Sequence, residues 1–446
     1  MPRFVAWKIL RSGSDRALRN VDSFADAREL SDLDRKLVRK LVGTAVRRRA
    51  TLHALQHHLA PGVASADLAA HLHIALVQVF FLDRIPEHAV RSTTGDAVRR
   101  TLGPSKVRIA NAMLDAAYAL REDARSGDPR RDLELRNVSL REPVFHDPSE
   151  HPLLWAEEAL SMPVALFKRW SARFGEARAH DLARFALEEP PLSLRVVRGE
   201  RAAVAAELAA LEVATREGVH AQVLLAAASD VERVVSSAAF AEGRITVQGE
   251  TALRAAEAVE ARAGETILDL CAAPGGKTAV IAASGATVVA CDISDEKLAR
   301  VGDTLARLRV GERVELVRAD LLERSEFDAV LVDAPCTNTG VLAQRPEARW
   351  RFTPQQKREL VALQTQLFER GAERVRPGGR LVWSTCALDA DENRRAVDAF
   401  LARHPEWSLE VAAETLPDLG TTQIRGAGPI DGGYLARLRR RAATTA

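Results

Sequence analysis

After Ala252 the apolar residues stop recurring at helical spacing. They collect into short β-branched or apolar runs at Thr266 to Leu270, Thr287 to Cys291, Val314 to Val317, Ala329 to Val332 and Arg380 to Ser384. Helical segments separate the earlier runs, and Pro354 to Val375 reads as one long helix. Alternation of this kind predicts an open parallel sheet covered on both faces, because each crossover helix returns the chain to the same end of the sheet. Such sheets bind ligands outside the carboxyl ends of their strands, near the point where strand order reverses. The residues that close these runs are therefore the first place to look for chemistry.

The rest of the chain has a different rhythm. From Ala6 to about Leu120 apolar residues recur every three or four positions, as in Leu37, Leu41, Val42 and Val46, which predicts an all-helical domain over residues 1–120. Residues 121–150 hold 14 charged side chains out of 30, with Gly127, Pro129, Pro143 and Pro148, and read as an exposed linker or insertion. Helical stretches at Val164 to Arg173 and Arg201 to Ala214, with a strand at Leu192 to Val197, suggest a small α+β subdomain over 151–243. The expected fold is thus multidomain: all-α, then small α+β, then an α/β Rossmann-like domain over 244–446.

At 446 residues and 47% hydrophobic, the chain has enough apolar side chains for several cores. Its apolar runs are too short to span a bilayer, and the opening MPRFVAWKIL lacks the pattern of a secretory signal, so a cytoplasmic protein with no membrane role is expected. Cys271, Cys291, Cys336 and Cys386 form no CxxC pair, which argues against a disulfide framework and against a metal site. Net charge is only +2, but residues 1–60 hold 13 Lys/Arg against 6 Asp/Glu, including Arg47, Arg48 and Arg49. Clustered positive charge suits an RNA backbone, and equally a solvated helix face.

The first strand runs into Asp269-Leu270-Cys271-Ala272-Ala273-Pro274-Gly275-Gly276-Lys277-Thr278. Small residues there let backbone approach a ligand, and the helix that follows offers unpaired N–H groups. A phosphate-binding G-x-x-x-x-G-K-[ST] loop would need glycine at Cys271, and G-x-G-x-x-G is absent. Asp292 closes the second strand, 23 residues after Asp269, where a carboxylate can accept hydrogen bonds from ribose hydroxyls. Together they favour an adenosine-containing ligand without a phosphate cradle.

Cys336 and Cys386 follow the fourth and fifth strands, in Asp333-Ala334-Pro335-Cys336 and Trp383-Ser384-Thr385-Cys386. A lone cysteine is most often a small buried hydrophobe, but two at the ligand edge suggest covalent chemistry. Carbon 5 of cytosine is a poor nucleophile until a thiolate adds at carbon 6 and turns the ring into an enamine. Asp333 is the candidate carboxyl for the ring N3 and exocyclic amine. The residues alone do not rank the two thiols.

At these positions LDLCAAPGGKT, VDAPCTNTG and WSTCALDADEN resemble the motifs of the Sun/RsmB-type cytosine-C5 RNA methyltransferases. Residues 34–49 and 80–86 resemble that family's NusB-like helical RNA-binding domain, and Pro163 to Trp170 with Pro191 to Val196 resemble its middle domain. The resemblance implies S-adenosylmethionine held by Cys271, Ala272, Ala273, Pro274, Gly275, Gly276, Lys277, Asp292, Asp320 and Asp333. It implies Cys386 as nucleophile and Cys336 in release of the methylated base. It also implies RNA contacts by Arg345, Arg349 and Trp350, and action on small-subunit ribosomal RNA, with transfer RNA the alternative; a monomer is expected. Val197 departs from the family's usual asparagine, and Gly433-Tyr434 from its usual aromatic pair. Two rivals are a non-catalytic RNA-binding factor, against which the intact cysteine pair speaks, and a methyltransferase for protein or small molecules, which would leave the basic segments unused.

Overall fold

The computed structural model describes residues 1–12, 17–18, 20–418 and 429–442. The chain forms two compact units, one of residues 1–188 with 345–352, the other of 189–344 with 353–446. This differs from the divisions expected from sequence. Helices Pro152–Ala159, Val164–Phe174 and Glu176–Leu187 belong to the first unit, not to a middle domain. A cut at 243/244 would sever a sheet, because Ile245–Val247 pairs with Leu192–Val196.

In the first unit, among the described residues, seven helices between Pro2 and Leu120 bury an apolar face, with Leu41, Leu52, Leu72, Phe80 and Leu114 in its core. Residues 121–150 are not the expected exposed linker. They pair Arg121–Glu122 with Ser139–Leu140 and bury Leu133, Val138, Leu140 and Phe145. Their charges are matched locally, Arg131 to Glu122 at 2.9 Å and Arg130 to Asp128 at 2.8 Å. Buried Asp132 accepts from Ser126 N and Oγ at 2.7 Å, so charge density here marks a packed and paired segment.

The second unit contains a four-stranded antiparallel sheet in the order Thr215–Glu217, Val223–Ala226, Leu192–Val196, Ile245–Val247. Beside it runs a seven-stranded sheet in the order Trp407–Thr415, Gly433–Arg440, Val375–Thr385, Phe327–Asp333, Thr266–Asp269, Thr287–Asp292, Val314–Arg318. The last five of these are mutually parallel, and the first two are added antiparallel at one edge. All five expected strands are present. Thr266–Asp269 has the second strand on one side and the fourth on the other, so strand order reverses beside it. That reversal brings the loop after Asp269 next to Asp333, and Asp333 is in register with Ser384.

Candidate active site

The reversal point is strongly acidic. Asp269 is wholly buried; Thr278 Oγ1 donates to its Oδ2 at 2.7 Å, while Oδ1 is enclosed with no protein partner. Burial pushes this carboxyl up to about 7. The Ala273–Pro274 peptide is cis, and Gly275 has φ +99°, in the left-handed region. A Cβ at Gly275 would lie 3.1 Å from Val301 Cα, so glycine is needed there both for its backbone and for its size. Asp292 clamps the turn: Oδ2 accepts from Ala273 N at 3.1 Å, and Oδ1 accepts from Ile293 N and Lys297 Nζ, both at 2.8 Å. Asp320 is exposed and paired with Arg318 at 2.7 Å. Burial drives the Cys271 thiol well above its ordinary range, leaving it a neutral wall of the turn.

Two residues that sequence reasoning missed flank these carboxylates. Ile293 and Leu321 directly follow Asp292 and Asp320 and are 73% and 65% exposed. Large apolar side chains left in water at the ligand edge of a sheet offer faces to a flat ring, and their position straight after strand-end acids was the available signal. The donor set suits S-adenosylmethionine. Its carboxylates would face a cationic molecule bearing ribose hydroxyls, the exposed apolar side chains would offer faces to adenine, and Asp269 Oδ1 has no protein partner.

Across the reversal, Lys277 Nζ donates to Asp333 Oδ2 at 2.6 Å and Ser384 Oγ donates to Oδ1 at 3.1 Å. Burial opposes the charge on Lys277, but Asp333 outweighs it and the ammonium is held above its ordinary range. Cys336 Sγ and Cys386 Sγ lie 3.1 Å apart. The hydrogen bond to Cys386, together with burial, raises the Cys336 thiol well above its ordinary range. Asn338, at φ +60°, accepts from Cys386 Sγ at 3.4 Å and donates through Nδ2 to the Cys336 carbonyl at 2.7 Å. Glu392, wholly buried, accepts from Thr337 N at 2.9 Å and Thr337 Oγ1 at 2.5 Å, and from Gln364 Nε2 at 2.9 Å. Neither Asn338 nor Glu392 was singled out from sequence, although both lie in the quoted cysteine motifs.

The two departures from the family pattern have local explanations. Val197 packs against the Ala272, Ala279 and Val301 cluster. A Cβ at Gly433 would lie 2.6 Å from the Thr385 carbonyl oxygen, so this backbone has no room for an aromatic side chain there.

The expected RNA contacts need correction. Arg47, Arg48 and Arg349 are buried in the first unit and serve backbone carbonyls, so they do not present charge to a phosphate. Arg47 Nε donates to Glu188 O at 3.1 Å and Arg48 Nη2 to Glu134 O at 2.9 Å. Arg349 donates to the carbonyls of Pro346 and Ser161, both at 3.2 Å, and to that of Ala186. Burial lowers Arg48 to about 10 and Arg349 to about 9. Arg49 and Arg345 are exposed, and Trp350 is half-buried with its indole N–H on Val46 O at 3.0 Å and the Arg49 guanidinium 5.3 Å from its ring. Arg16 and Arg19 of the basic stretch lie outside the described residues. Among the described residues no helix is long and apolar enough to cross a membrane, and no cluster of three side chains could hold a metal ion.

Residues 256–438 match the 16S rRNA methyltransferase RsmB/F family and residues 4–119 the NusB family. The Probable ribosomal RNA small subunit methyltransferase B of Bacillus subtilis (strain 168) is 27% identical over 88% of this chain and 85% of its own length. The Ribosomal RNA small subunit methyltransferase B of Shewanella oneidensis is 28% identical over 97% and 92%. The crystal structure of PH0851 covers 99% of each chain at 22% identity with a TM-score of 0.76, a likeness that concerns the fold. NSun6 from Pyrococcus horikoshii, solved with SFG, covers 63% of this chain and 99% of its own at 20% identity and a TM-score of 0.53. Residues 256–438 thus form a domain of the RsmB/F family of S-adenosylmethionine-dependent RNA methyltransferases, and residues 4–119 a NusB-family domain.

Proposed function

We propose that the protein methylates carbon 5 of a cytosine in small-subunit ribosomal RNA, with Cys386 as nucleophile and Cys336 as the group that releases the product. The observation that carries this reading is the thiol pair, 3.1 Å apart beside the Lys277–Asp333 ion pair. Cys386 as thiolate adds to carbon 6 of the ring and the displaced electron pair makes carbon 5 nucleophilic. Bound S-adenosylmethionine supplies the electrophilic methyl group. Asp333, fixed by Lys277 and Ser384, accepts a hydrogen bond from the exocyclic amine and orients the ring. Cys336, as thiolate after its proton has passed to solvent, takes the proton from carbon 5, the carbon–sulfur bond breaks, the ring double bond reforms and Cys386 leaves as thiolate. The Cys336 thiol, raised by its hydrogen bond with Cys386 and by burial, is the stronger base once ionised, and the less buried Cys386 suits attack. Asp292, Asp320, Ile293 and Leu321 hold the adenosine portion, as their place at the strand ends supports.

Incubation with protein-free 16S rRNA and S-adenosylmethionine, followed by bisulfite sequencing, tests the reading. One or a few cytosines should resist conversion. Methyl transfer to a ring nitrogen or to uridine would contradict it.

A further inference from the structure

Glu392 and Asn393 are adjacent and wholly buried, yet they hold different cysteine segments. The Glu392 carboxylate is turned toward the Cys336 segment: Oε2 accepts from Thr337 N at 2.9 Å and Oε1 from Thr337 Oγ1 at 2.5 Å. Gln364 Nε2, from helix Pro354–Glu373, donates to the same Oε2 and to Pro335 O, both at 2.9 Å. Cys336 is thus gripped through the residue on either side of it. The Asn393 side chain serves the other segment. Its Oδ1 accepts from Thr385 Oγ1 at 2.5 Å and its Nδ2 donates to Ala387 O at 2.9 Å, so Cys386 is gripped in the same manner.

Helix stability alone does not ask for this. Asn393 is the N-cap residue of helix Arg394–Arg403, a place where asparagine ordinarily accepts from the first free N–H groups of the helix, and here its side chain makes no such bond. Enclosing the Glu392 carboxyl likewise costs desolvation that an apolar residue would avoid. Local rules are set aside in this way where function needs a fixed geometry. We infer that Glu392 and Asn393 are positioning residues with separate tasks, Glu392 setting Cys336 for release of the product and Asn393 setting Cys386 for attack. The inference rests on the division of roles proposed for the two thiols. Without Glu392, Cys386 keeps Asn393 and the bond from Gly340 N to Cys386 O at 2.9 Å, so attack survives. Without Asn393, Cys336 keeps Glu392 and Gln364, but the attacking thiol is loosened. A displacement of about 1 Å can cost about 100-fold in rate, so each loss is felt in its own step.

Glu392→Gln separates holding from charge. Its carbonyl oxygen still accepts from Thr337 N and Gln364 Nε2, and its amide N–H donates to Thr337 Oγ1 once that hydroxyl turns toward Thr339 Oγ1, 3.3 Å away. Single-turnover and multiple-turnover methylation of 16S rRNA by the full-length protein, with denaturing gels for the protein–RNA adduct, tests the inference alongside Cys336→Ala. Glu392→Ala should keep the first turnover, slow later ones about tenfold or more and accumulate adduct as Cys336→Ala does. Asn393→Ala should slow the first turnover about tenfold or more and accumulate no adduct. Glu392→Gln should regain most of the turnover. Thr337→Val and Thr385→Val, each removing one hydroxyl arm and no buried charge, should show the same split more weakly and decide the matter where an alanine variant does not fold. Loss of the same step in both alanine variants, or Glu392→Gln as impaired as Glu392→Ala, overturns the inference. If Cys336→Ala accumulates adduct and neither Glu392→Ala nor Thr337→Val does, the inference falls and the thiol roles stand. If Cys336→Ala accumulates none, the thiol roles fall and the inference falls with them.

Discussion

Asp269 shows how burial at the site makes stability depend on pH. Its folded-state value of about 7 lies above the ordinary carboxyl range, so the folded protein holds a proton that the unfolded chain releases. The resulting stability is fully present below about pH 4 and is lost as pH rises through 7, a change of up to about 4 kcal/mol. Denaturant unfolding of wild type and Asp269→Asn at pH 5 and pH 8 should show a smaller fall for the variant; equal falls would mean that Asp269 does not titrate in this window. Asp292 holds the turn through one oxygen, which accepts from Ala273 N, while the other accepts from Ile293 N and Lys297 Nζ. Asp292→Ala should weaken S-adenosylmethionine by about 1–3 kcal/mol in calorimetry, through loss of both turn and acceptor. At this scale much could be read from the sequence. Acids and cysteines at strand ends announce themselves by position. Asn338 and Glu392 did not, because their roles depend on which loops meet, and Ile293 and Leu321 could be picked out by position but not by what folding leaves exposed.

Loop crossings matter most among the elements. Gly340 N donates to Cys386 O at 2.9 Å and Gly432 N to Gly340 O at 2.8 Å, so three segments meet behind Cys386. A Cβ at Gly340 would lie 2.4 Å from the Gly432 carbonyl oxygen and 2.9 Å from that of Cys386, neither of which can move without the loop. Gly340→Ala should therefore lower kcat more than tenfold while changing S-adenosylmethionine affinity less than twofold, since small displacements of reacting groups are costly. Equal losses in both would place the damage in the whole fold. The five parallel strands were visible in the sequence because each is a short apolar run bounded by helical spacing. The antiparallel edge strands Trp407–Thr415 and Gly433–Arg440 were not, because Trp407–Thr415 leaves much of its length exposed and lacks a continuous apolar run.

On the scale of the whole molecule, segment 345–352 joins the first unit although the residues on either side of it belong to the second. Its anchor is Arg349, whose guanidinium serves the carbonyls of Pro346, Ser161 and Ala186. Arg349→Met would leave these acceptors without their donor while sparing the cost of a buried charge, for a net loss of about 2 kcal/mol in chemical denaturation. No loss would mean that the carbonyls find other donors. Composition could not reveal this. A run of arginines is the same in sequence whether it meets phosphate or buried carbonyls, and only packing separates Arg48 and Arg349 from Arg49. The unit boundaries were hidden for a similar reason, since paired charges in 121–150 look like solvated ones.

If the two neighbouring thiols divide attack from release, single variants leave different covalent records. Wild type, Cys336→Ala, Cys386→Ala and the double variant are each incubated with 16S rRNA and S-adenosylmethionine, then run on denaturing gels. A protein–RNA adduct should accumulate with Cys336→Ala alone, and none should form with Cys386→Ala or the double variant. An adduct with Cys386→Ala instead, or full activity in both single variants, would contradict that division of roles.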